Sequence, residues 1–405
     1  MEFQVLLLGN DINAYYMARN FHEEYGIKSY IIGRVPMLFT STSEIVNVEI
    51  FPDLLDEDKF VNKLIDKARE INSKKIILVG CNDDYVSFII KYKEKLSKYY
   101  LFNYTNNDLL DKLVNKEMFY KNFKDSGLDF PKTYFYDTER ELLESDITLF
   151  KYPVIVKPSN VVMYHECDFP GQAKVYKLDK FSDVVNTCNE IKNAGYTDKL
   201  IIQEFIPGDD HNLFDCVFYV NSKKKIWLQS FGQIGLQEHT STGIGNLTVV
   251  INGYNEYRNT EKIKNKLKDF LQDIEFNGIC EVDLKYDVRD KKFKVFEINP
   301  RQARSSYYLT GCGYNLAKYL VDDLIYNKEY DFVFISEKVA LSFVPDYVVK
   351  KYIMSREYKQ EFFKLKKNKK FVDPLRYDKD MNFERRKWLL KRSINYIRKY
   401  KNNKW

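Results

Sequence analysis

The chain has few of the residues that most often form disulfides or bind transition metals. Its 405 residues include six cysteines and four histidines, and neither set shows the paired spacing of a zinc site or a disulfide framework. The cysteines are therefore predicted to be reduced and mostly buried. No histidine is predicted to bind a metal.

Long hydrophobic runs are also lacking. No apolar stretch approaches the roughly 20 residues that a membrane-spanning helix needs. The first four residues, Met1-Glu2-Phe3-Gln4, provide no basic region ahead of the short apolar run that follows them. The sequence thus predicts a cytoplasmic protein, and its length predicts two or three domains.

A net positive charge is lacking over most of the chain and is confined to its end. Residues 350–405 contain 20 Lys and Arg against six Asp and Glu, a net charge of +14, which leaves −8 for the rest of the chain. The segment RRKWLLKRSINYIRKY places Leu390, Ile394 and Ile397 on one helical face among cations. We expect this helix to pack on the protein itself, with weak peripheral contact to an anionic membrane as the alternative. No aromatic and basic pattern specific for nucleic acid is present, so no nucleic-acid partner is expected.

The first 105 residues show an alternation of short apolar strands and helical segments. FQVLLLG, SYIIG and KKIILVG read as strands, and helical patterns follow the first and the third of them. This order predicts an α/β domain with a parallel, Rossmann-like sheet. Gly9 and Gly80 end two of the strands, where open sheets bind ligands, although a purely structural turn explains each glycine equally well.

The middle of the chain offers two lysines and a long polar loop. Residues 108–126 read as one helix that carries Lys116, and VIVKPSN reads as a strand with Lys157 near its end. A lysine at the end of a buried strand can place its charge on a phosphate. Strands are also predicted at LIIQE, 215–230 and 246–251, and the last two bracket GQIGLQEHTSTGIGN, a loop longer than a hairpin turn needs.

The strongest chemical signal lies between Gly278 and Ser306. Two strands are predicted, with Glu281 and Asp283 on one face of the first and Glu297, Asn299 and Arg301 on one face of the second. If the two faces coincide, the crowded carboxylates repel one another unless a cation neutralises them. Oxygen ligands suit Mg²⁺, which usually completes its shell with water and substrate phosphates. A hairpin whose acids are simply solvated is the alternative.

The order of these features resembles that of the ATP-grasp ligases. The resemblance implies an α/β and α+β architecture with four parts: a pre-ATP-grasp domain at 1–105, two ATP-grasp subdomains at 106–200 and 201–330, and a basic, largely helical extension at 331–405. It implies ATP and Mg²⁺, two ions in all, for which Mn²⁺ can substitute. It also implies metal ligands and ATP-binding residues. The ligands would be Asp283, Glu297 and Asn299, and the ATP-binding residues would be Lys116, Lys157, Ser159, Asn160, Gln203, Glu204, Phe205, Ile206 and Asp210. By the same resemblance, Gln203 to Ile206 would contact adenine, Asp210 would bind ribose, and Ser159 and Asn160 would begin a polar loop over the phosphates.

Several segments narrow the resemblance to the D-aspartate ligases of Gram-positive bacteria. These segments are GNDINAYYMARNF, NKEMFY, VIVKPSN, QEFIPGDD and FEINPRQARSSYYLTG. Such enzymes use ATP to join the β-carboxyl group of D-aspartate to the lysine ε-amine of a peptidoglycan precursor, an anionic stem peptide. The implied partners are therefore an amino-acid donor and this precursor, and the resemblance leaves the oligomeric state open.

The resemblance also assigns residues around the reacting groups. Arg301 would bind the donor carboxylate or stabilise the oxyanion, and Glu281 would serve either as a further metal ligand or as a base. Substrate-binding roles are predicted for Arg304, Ser305, Gly245 and Asn246. The alternatives are an ATP-grasp ligase for another amino acid, in dipeptide or capsule synthesis, and a nonenzymatic nucleotide-binding adaptor.

Overall fold

A four-stranded parallel sheet forms the N-terminal part of the computed structural model, which describes residues 2–240, 243–257 and 259–403. Its strands are all parallel, as the alternating pattern predicts, and their order is β3-β2-β1-β4, in which β3 was not predicted. Asp11 caps the first helix by accepting hydrogen bonds from the backbone of Asn13 and Ala14, and Gly26 ends that helix in a left-handed conformation. The elements are β1 (Gln4–Leu8), α1 (Ile12–Tyr25), β2 (Ser29–Gly33), α2 (Leu38–Ser41), β3 (Val46–Ile50), α3 (Glu57–Ile71), β4 (Ile76–Gly80), α4 (Asp83–Lys91) and α5 (Lys93–Leu96).

A second, antiparallel sheet follows, with the order β5-β8-β6-β7. The helix predicted at 108–126 is in fact two helices, because Asn115 adopts an extended conformation and caps the second one through its side chain. Lys116 is therefore the first residue of a helix. The elements are α6 (Asn107–Val114), α7 (Lys116–Phe123), β5 (Thr133–Tyr136), β6 (Val154–Pro158), α8 (Val161–Glu166), β7 (Tyr176–Leu178), α9 (Phe181–Asn193) and β8 (Leu200–Glu204).

The largest sheet has nine strands, with β14-β13-β9-β11-β12-β16-β17 along its main path and β10 joining β9 to β15. Apolar side chains of β9, β13 and β14 form one core with α10, and α6 and α7 pack on the same core. The elements are β9 (Leu213–Val220), β10 (Ile226–Ser230), β11 (Gly232–Gln237), β12 (Leu247–Asn252), α10 (Thr260–Asp273), β13 (Gly278–Asp287), β14 (Lys292–Asn299), α11 (Tyr308–Gly311), α12 (Leu316–Leu324), β15 (Val333–Ile335), β16 (Val339–Ser342), α13 (Asp346–Tyr352), α14 (Arg356–Lys367), β17 (Phe371–Val372) and α15 (Phe383–Asn402).

Strand β11 lies where the sequence predicts a loop. All six of its residues are buried, yet two are glycines and two are glutamines, so the strand lacks the alternation of apolar and polar residues that marks a half-buried strand. The remaining loop runs from Glu238 to Asn246. Ser241 and Thr242, which belong to the predicted loop, lie outside the described residues.

The C-terminal segment carries helices α13, α14 and α15, as predicted, and it also adds strands to the largest sheet. Strand β15 pairs with β10, β16 pairs with β12, and β17 pairs with β16. The predicted apolar face of α15 is wrong in part, because Leu390 is 64% and Ile394 43% exposed. Leu389, Tyr396 and Tyr400 form the buried face instead.

The cysteines behave as predicted, since all six are free and five of them are buried. No helix in the described ranges combines the length and the apolar character that a membrane span needs.

Candidate functional site

The acidic hairpin forms with the register that brings its charged faces together. Across the antiparallel β13–β14 pair, Glu281 lies opposite Asn299 and Asp283 lies opposite Glu297. The Asn299 side-chain amide donates hydrogen bonds to Glu281 Oε2 at 2.9 Å and to Asp283 Oδ2 at 3.4 Å. Three carboxylates and one amide therefore share one patch of the sheet.

A further carboxylate, Asp215, extends this row onto strand β9. It lies opposite Asp283, is fully buried, and accepts a hydrogen bond from the Tyr308 hydroxyl at 3.2 Å. Burial and the nearby Glu281 carboxylate raise the pKa of Asp215 to about 8. Sequence reasoning missed this residue, although a single acid inside the apolar strand LFDCVFYV is the signal that could have indicated it.

The pKa values of two carboxylates in this row are shifted in opposite directions. Burial and the neighbouring Glu281 and Glu297 carboxylates hold the pKa of Asp283 well above its usual value. Burial alone would also raise the pKa of Glu297, but the nearby ammonium groups of Lys116, Lys174 and Lys157 lower it to about 2. Glu297 is therefore charged at any physiological pH, and it lies 3.5 Å from Lys116 Nζ.

The donor set fits a hard divalent cation bound together with a phosphate. No group of three His, Cys, Asp or Glu side chains in the described part of the chain is arranged to hold a metal alone. Mg²⁺ does not require such a cage, because it usually keeps waters and substrate phosphates in its octahedral shell. Asp283, Glu297 and Asn299 supply oxygen atoms. Because the crowded carboxylates repel one another, a cation bound between them would be stabilised.

Lys157 faces the carboxylates from β6, across a cleft between the second and third sheets. Its ammonium donates a hydrogen bond to Gln203 Oε1 at 3.1 Å. Burial and the nearby charge of Lys116 lower the pKa of Lys157 to about 7. An anion that entered the cleft would favour the charged form of Lys157.

Most of the predicted adenine-binding segment lines the same cleft. Gln203, Glu204, Phe205 and Ile206 all contribute to its wall. The Glu204 carboxylate is turned away, because it accepts hydrogen bonds from the Lys132 backbone at 2.8 Å and from Arg289 at 3.0 Å. This arrangement leaves the Glu204–Ile206 backbone as the part that can face a ring.

Asp210, predicted to bind ribose, lies in an adjoining cavity that shares Phe205, Gln237 and Lys285 with the first. It accepts hydrogen bonds from Gln237 Nε2 at 2.8 Å and from the His239 ring at 2.9 Å. The carboxylate thus already has protein partners, and its contact with ribose stays a prediction.

Ser159 and Asn160 are not among the residues that line the cleft. The Ser159 hydroxyl donates to the Lys199 carbonyl at 2.6 Å, and Asn160 caps α8 by accepting from the Met163 backbone at 3.1 Å. The polar loop predicted after Lys157 thus begins with a short helix, and the contact of these two residues with ATP stays a prediction.

Lys174, which sequence reasoning missed, joins the two sides of the cleft. Its ammonium donates to the Ile244 carbonyl at 3.3 Å, next to Gly245, and it also lines the cleft beside Lys116 and Lys157. Gly245 has φ +90°, which favours glycine, and its backbone N–H donates to Gln237 Oε1 at 2.9 Å. The loop that carries Gly245 therefore reaches the cleft from the third sheet, and Asn246 lies at its end.

Arg301 forms an ion pair that crosses to the N-terminal domain. Its Nε and Nη2 donate to the two carboxylate oxygens of Asp83 at 2.6 and 3.1 Å. Asp83 begins α4, directly after the carboxyl end of β4. No local pattern links these residues, because 218 positions separate them along the chain.

Arg304 is held by a second acid. Its Nη1 donates to Glu238 Oε1 at 3.2 Å, and the Tyr396 hydroxyl of α15 donates to the same oxygen at 2.8 Å. Tyr400 of the same helix donates to the Gln237 carbonyl at 2.5 Å. Ser305 is fully buried, so its predicted contact with substrate would require neighbouring residues to move.

Similar folds occur in several solved ligases and synthetases. The L-amino acid ligase from Bacillus licheniformis superposes with a TM-score of 0.57 at 14% identity, over 80% of this chain and 74% of that one. The N5-carboxyaminoimidazole ribonucleotide synthetase from Thermus thermophilus gives 0.60 at 12% identity, over 83% and 82%. No family model matches the chain. These structures, with the order of the cleft residues, define an ATP-grasp fold.

One curated relative extends along almost the whole chain. The D-aspartate ligase of Enterococcus faecium (strain Aus0004) is 34% identical over 413 aligned residues, which cover 99% of this chain and 96% of that protein. The chain therefore belongs to the D-aspartate ligase family of ATP-grasp enzymes. It is an ATP-dependent ligase that joins an acid to an amino compound.

Proposed function

We propose that the protein uses ATP to join the β-carboxylate of D-aspartate to the lysine ε-amine of a peptidoglycan precursor stem peptide in the cytoplasm. The observation that carries the proposal is the convergence of two carboxylates and three lysines around one cleft, with Asn299 in contact with Asp283. These residues are Asp283, Glu297, Lys116, Lys157 and Lys174. Full-length similarity to a D-aspartate ligase supports the choice of donor.

A carboxylate needs activation before an amine can displace one of its oxygens. A carboxylate oxygen of the donor attacks the γ-phosphorus of ATP, the bond to the β–γ bridging oxygen breaks, and ADP leaves. The amine nitrogen then attacks the acyl phosphate, inorganic phosphate leaves, and the nitrogen loses a proton to form the amide. The first step thus turns a carboxylate oxygen, which could leave only as oxide, into part of a phosphate that leaves readily in the second step.

The lysines and the carboxylates have different roles in phosphoryl transfer. Lys116, Lys157 and Lys174 place positive charge on the phosphates. Asp283, Glu297 and Asn299 would hold up to two Mg²⁺ ions, which neutralise charge on the β- and γ-phosphates. The backbone of Glu204–Ile206 would bind adenine, with Gln203 beside its amino group and Asp210 near the ribose.

Residues at the end of β14 would bind the donor and shape the second step. Arg301 and Arg304 carry donors that suit carboxylates, while the loop around Gly245 and Asn246 covers the phosphates. Glu281 is almost fully buried and hydrogen-bonded to Asn299. We assign it to positioning of Asn299, which leaves deprotonation of the amine to another group or to water.

The test is ATP-dependent phosphate release with a panel of D- and L-amino acids and a lysine-containing stem-peptide precursor. Release and an amide product with D-aspartate alone would support the proposal. Selectivity for another acid would keep the ligase and overturn its donor. Hydroxylamine, which traps acyl phosphates as hydroxamates, allows donor activation to be measured without the precursor.

A further inference from the structure

The Asp83–Arg301 pair has the geometry of a carboxylate bound at a substrate site. Two guanidinium N–H groups meet both carboxylate oxygens, at 2.6 and 3.1 Å, which is the arrangement by which arginine recognises a free carboxylate. Arg301 also lies beside Asn299, with Nη2 3.5 Å from the amide oxygen. The pair thus lies at the edge of the acidic patch, next to Asn299.

The backbones that carry the pair are fastened together. Gln302 Nε2 donates to the Gly80 carbonyl at 3.1 Å, and Asn13 Nδ2 of α1 donates to the Cys81 carbonyl at 3.1 Å. The Asp83 side chain itself is 45% exposed, whereas that of Arg301 is 16% exposed. A carboxylate that is half-exposed on a fixed turn can rotate away while its turn and its partner stay in place.

We propose that Asp83 is a binding residue for the ammonium group of the donor, reached by exchange of partners on Arg301. The inference rests on the proposed function. The donor's α-carboxylate replaces Asp83 on the guanidinium, and the released Asp83 carboxylate accepts the donor's α-ammonium. The α-carboxylate and the α-ammonium of the donor are attached to one carbon. The charged groups of Arg301 and Asp83, which touch before binding, therefore need to move apart only by the width of this head group.

The exchange keeps every charge paired, and this property makes it selective. Before binding, Arg301 pairs with Asp83, and after binding each of them pairs with one end of the zwitterion. A dicarboxylate that lacks the amine would take Arg301 and leave Asp83 unpaired beside a like charge, which is unfavourable. Succinate, which is aspartate without its amino group, is therefore the discriminating ligand.

Asp84 provides a matched control. It follows Asp83 in the first turn of α4, is exposed, and makes no ion pair within 4.0 Å among the described residues. Asp83→Asn and Asp84→Asn remove the same charge from the same helix end, so the favourable interaction with the helix dipole falls equally in both. Only the first change removes the carboxylate that exchanges.

The experiment measures hydroxamate formation with ATP, hydroxylamine and the donor amino acid that the wild-type protein uses, with succinate as a competing ligand. We expect the wild-type Ki for succinate to exceed the donor KM by roughly tenfold or more. Asp83→Asn should raise the donor KM and lower the succinate Ki, each by roughly tenfold, while Asp84→Asn changes neither by more than about twofold. The affinity for ATP should be the same in all three proteins.

Two results would overturn the exchange while leaving the ligase intact. One is a wild-type protein that binds succinate as tightly as its donor, a comparison that needs no variant. The other is an Asp83→Asn protein that binds ATP normally and keeps the wild-type ratio of succinate Ki to donor KM. A wild-type protein that activates no amino acid would instead overturn the proposed function.

Discussion

Glu297 lies 3.5 Å from Lys116, and across the β-ladder it faces Asp283. One carboxylate thus connects the acidic patch on the third sheet with a lysine at the start of α7. Because three lysines surround it, its pKa is held near 2, so it remains a charged oxygen donor at working pH. This arrangement makes Glu297 the residue whose charge matters most for the proposed chemistry.

Glu297→Gln keeps the shape of the side chain and removes its charge. We expect donor activation to fall by at least roughly a hundredfold, the size of effect seen when one electrostatic contact to a transition state is lost. The thermal midpoint should fall only modestly, because the lost attraction to three lysines is partly offset by relief of the repulsion between Glu297 and Asp283. Hydroxamate formation and a melting curve, measured on the same preparation, test both statements. Undiminished activity would reject the proposed role of Glu297 as a metal ligand.

Lys157 predicts a definite pH dependence of nucleotide binding. In the free protein its pKa is about 7, and bound phosphates favour its charged form, so the complex holds more protons than the free protein above pH 7. ATP affinity should therefore fall as pH rises above 7, with uptake of a proton on binding. Calorimetric titrations in buffers of different ionisation enthalpy measure this uptake, which should be lost in Lys157→Met. Equal affinity at pH 7 and pH 9 would contradict it.

Lys174→Met tests the lysine that was missed from the sequence. Loss of one charged donor in the cleft should weaken ATP binding by roughly tenfold to a hundredfold. It should also free the Gly245 loop from its contact at the Ile244 carbonyl. The control is Lys180→Met, since the Lys180 side chain is 70% exposed and pairs only at 3.7 Å with Asp183. Comparable losses in both variants would indicate a general effect of charge.

Tyr396→Phe removes one hydroxyl that holds Glu238 against Arg304. We expect the free energy of unfolding to fall by about 1 kcal/mol. The donor KM should rise several-fold, because Glu238 would no longer hold Arg304 in one position, while the affinity for ATP should be unchanged. Tyr347→Phe is a matched control on the neighbouring helix α13, where Tyr347 is 51% exposed. A variant whose ATP affinity falls with its donor affinity would show that α15 supports the whole cleft.

The hairpin could be predicted from the sequence because its information is local. Glu281, Asp283, Glu297 and Asn299 alternate on two adjacent strands joined by a short turn, so period and spacing fix their common face. The parallel sheet of the N-terminal domain was equally accessible, since buried parallel strands read as apolar runs between helices.

What the sequence did not reveal depends on distant packing. Lys174 gains its role from the Ile244 carbonyl, 70 residues away, and Asp83 from Arg301. Gln233 and Gln237 of β11 are buried polar residues whose partners lie on other elements, so no local pattern marks them as strand. On α15, Tyr396 and Tyr400 turn inward because their hydroxyls find Glu238, Gln237 and Thr248, whereas Leu390 and Ile394 have the stronger apolar pattern.

The contact between Tyr400 and the Gln237 carbonyl has a consequence for synthesis of the chain. A protein emerges from the ribosome N-terminus first. The strands, lysines and carboxylates of the cleft therefore emerge well before α15. The loop beside Asp210 and Arg304 gains its last support only when residue 400 has left the exit tunnel. Because Gln237 and Glu238 contact Asp210 and Arg304, we expect these two residues to reach their final positions late in synthesis, after the rest of the cleft has emerged.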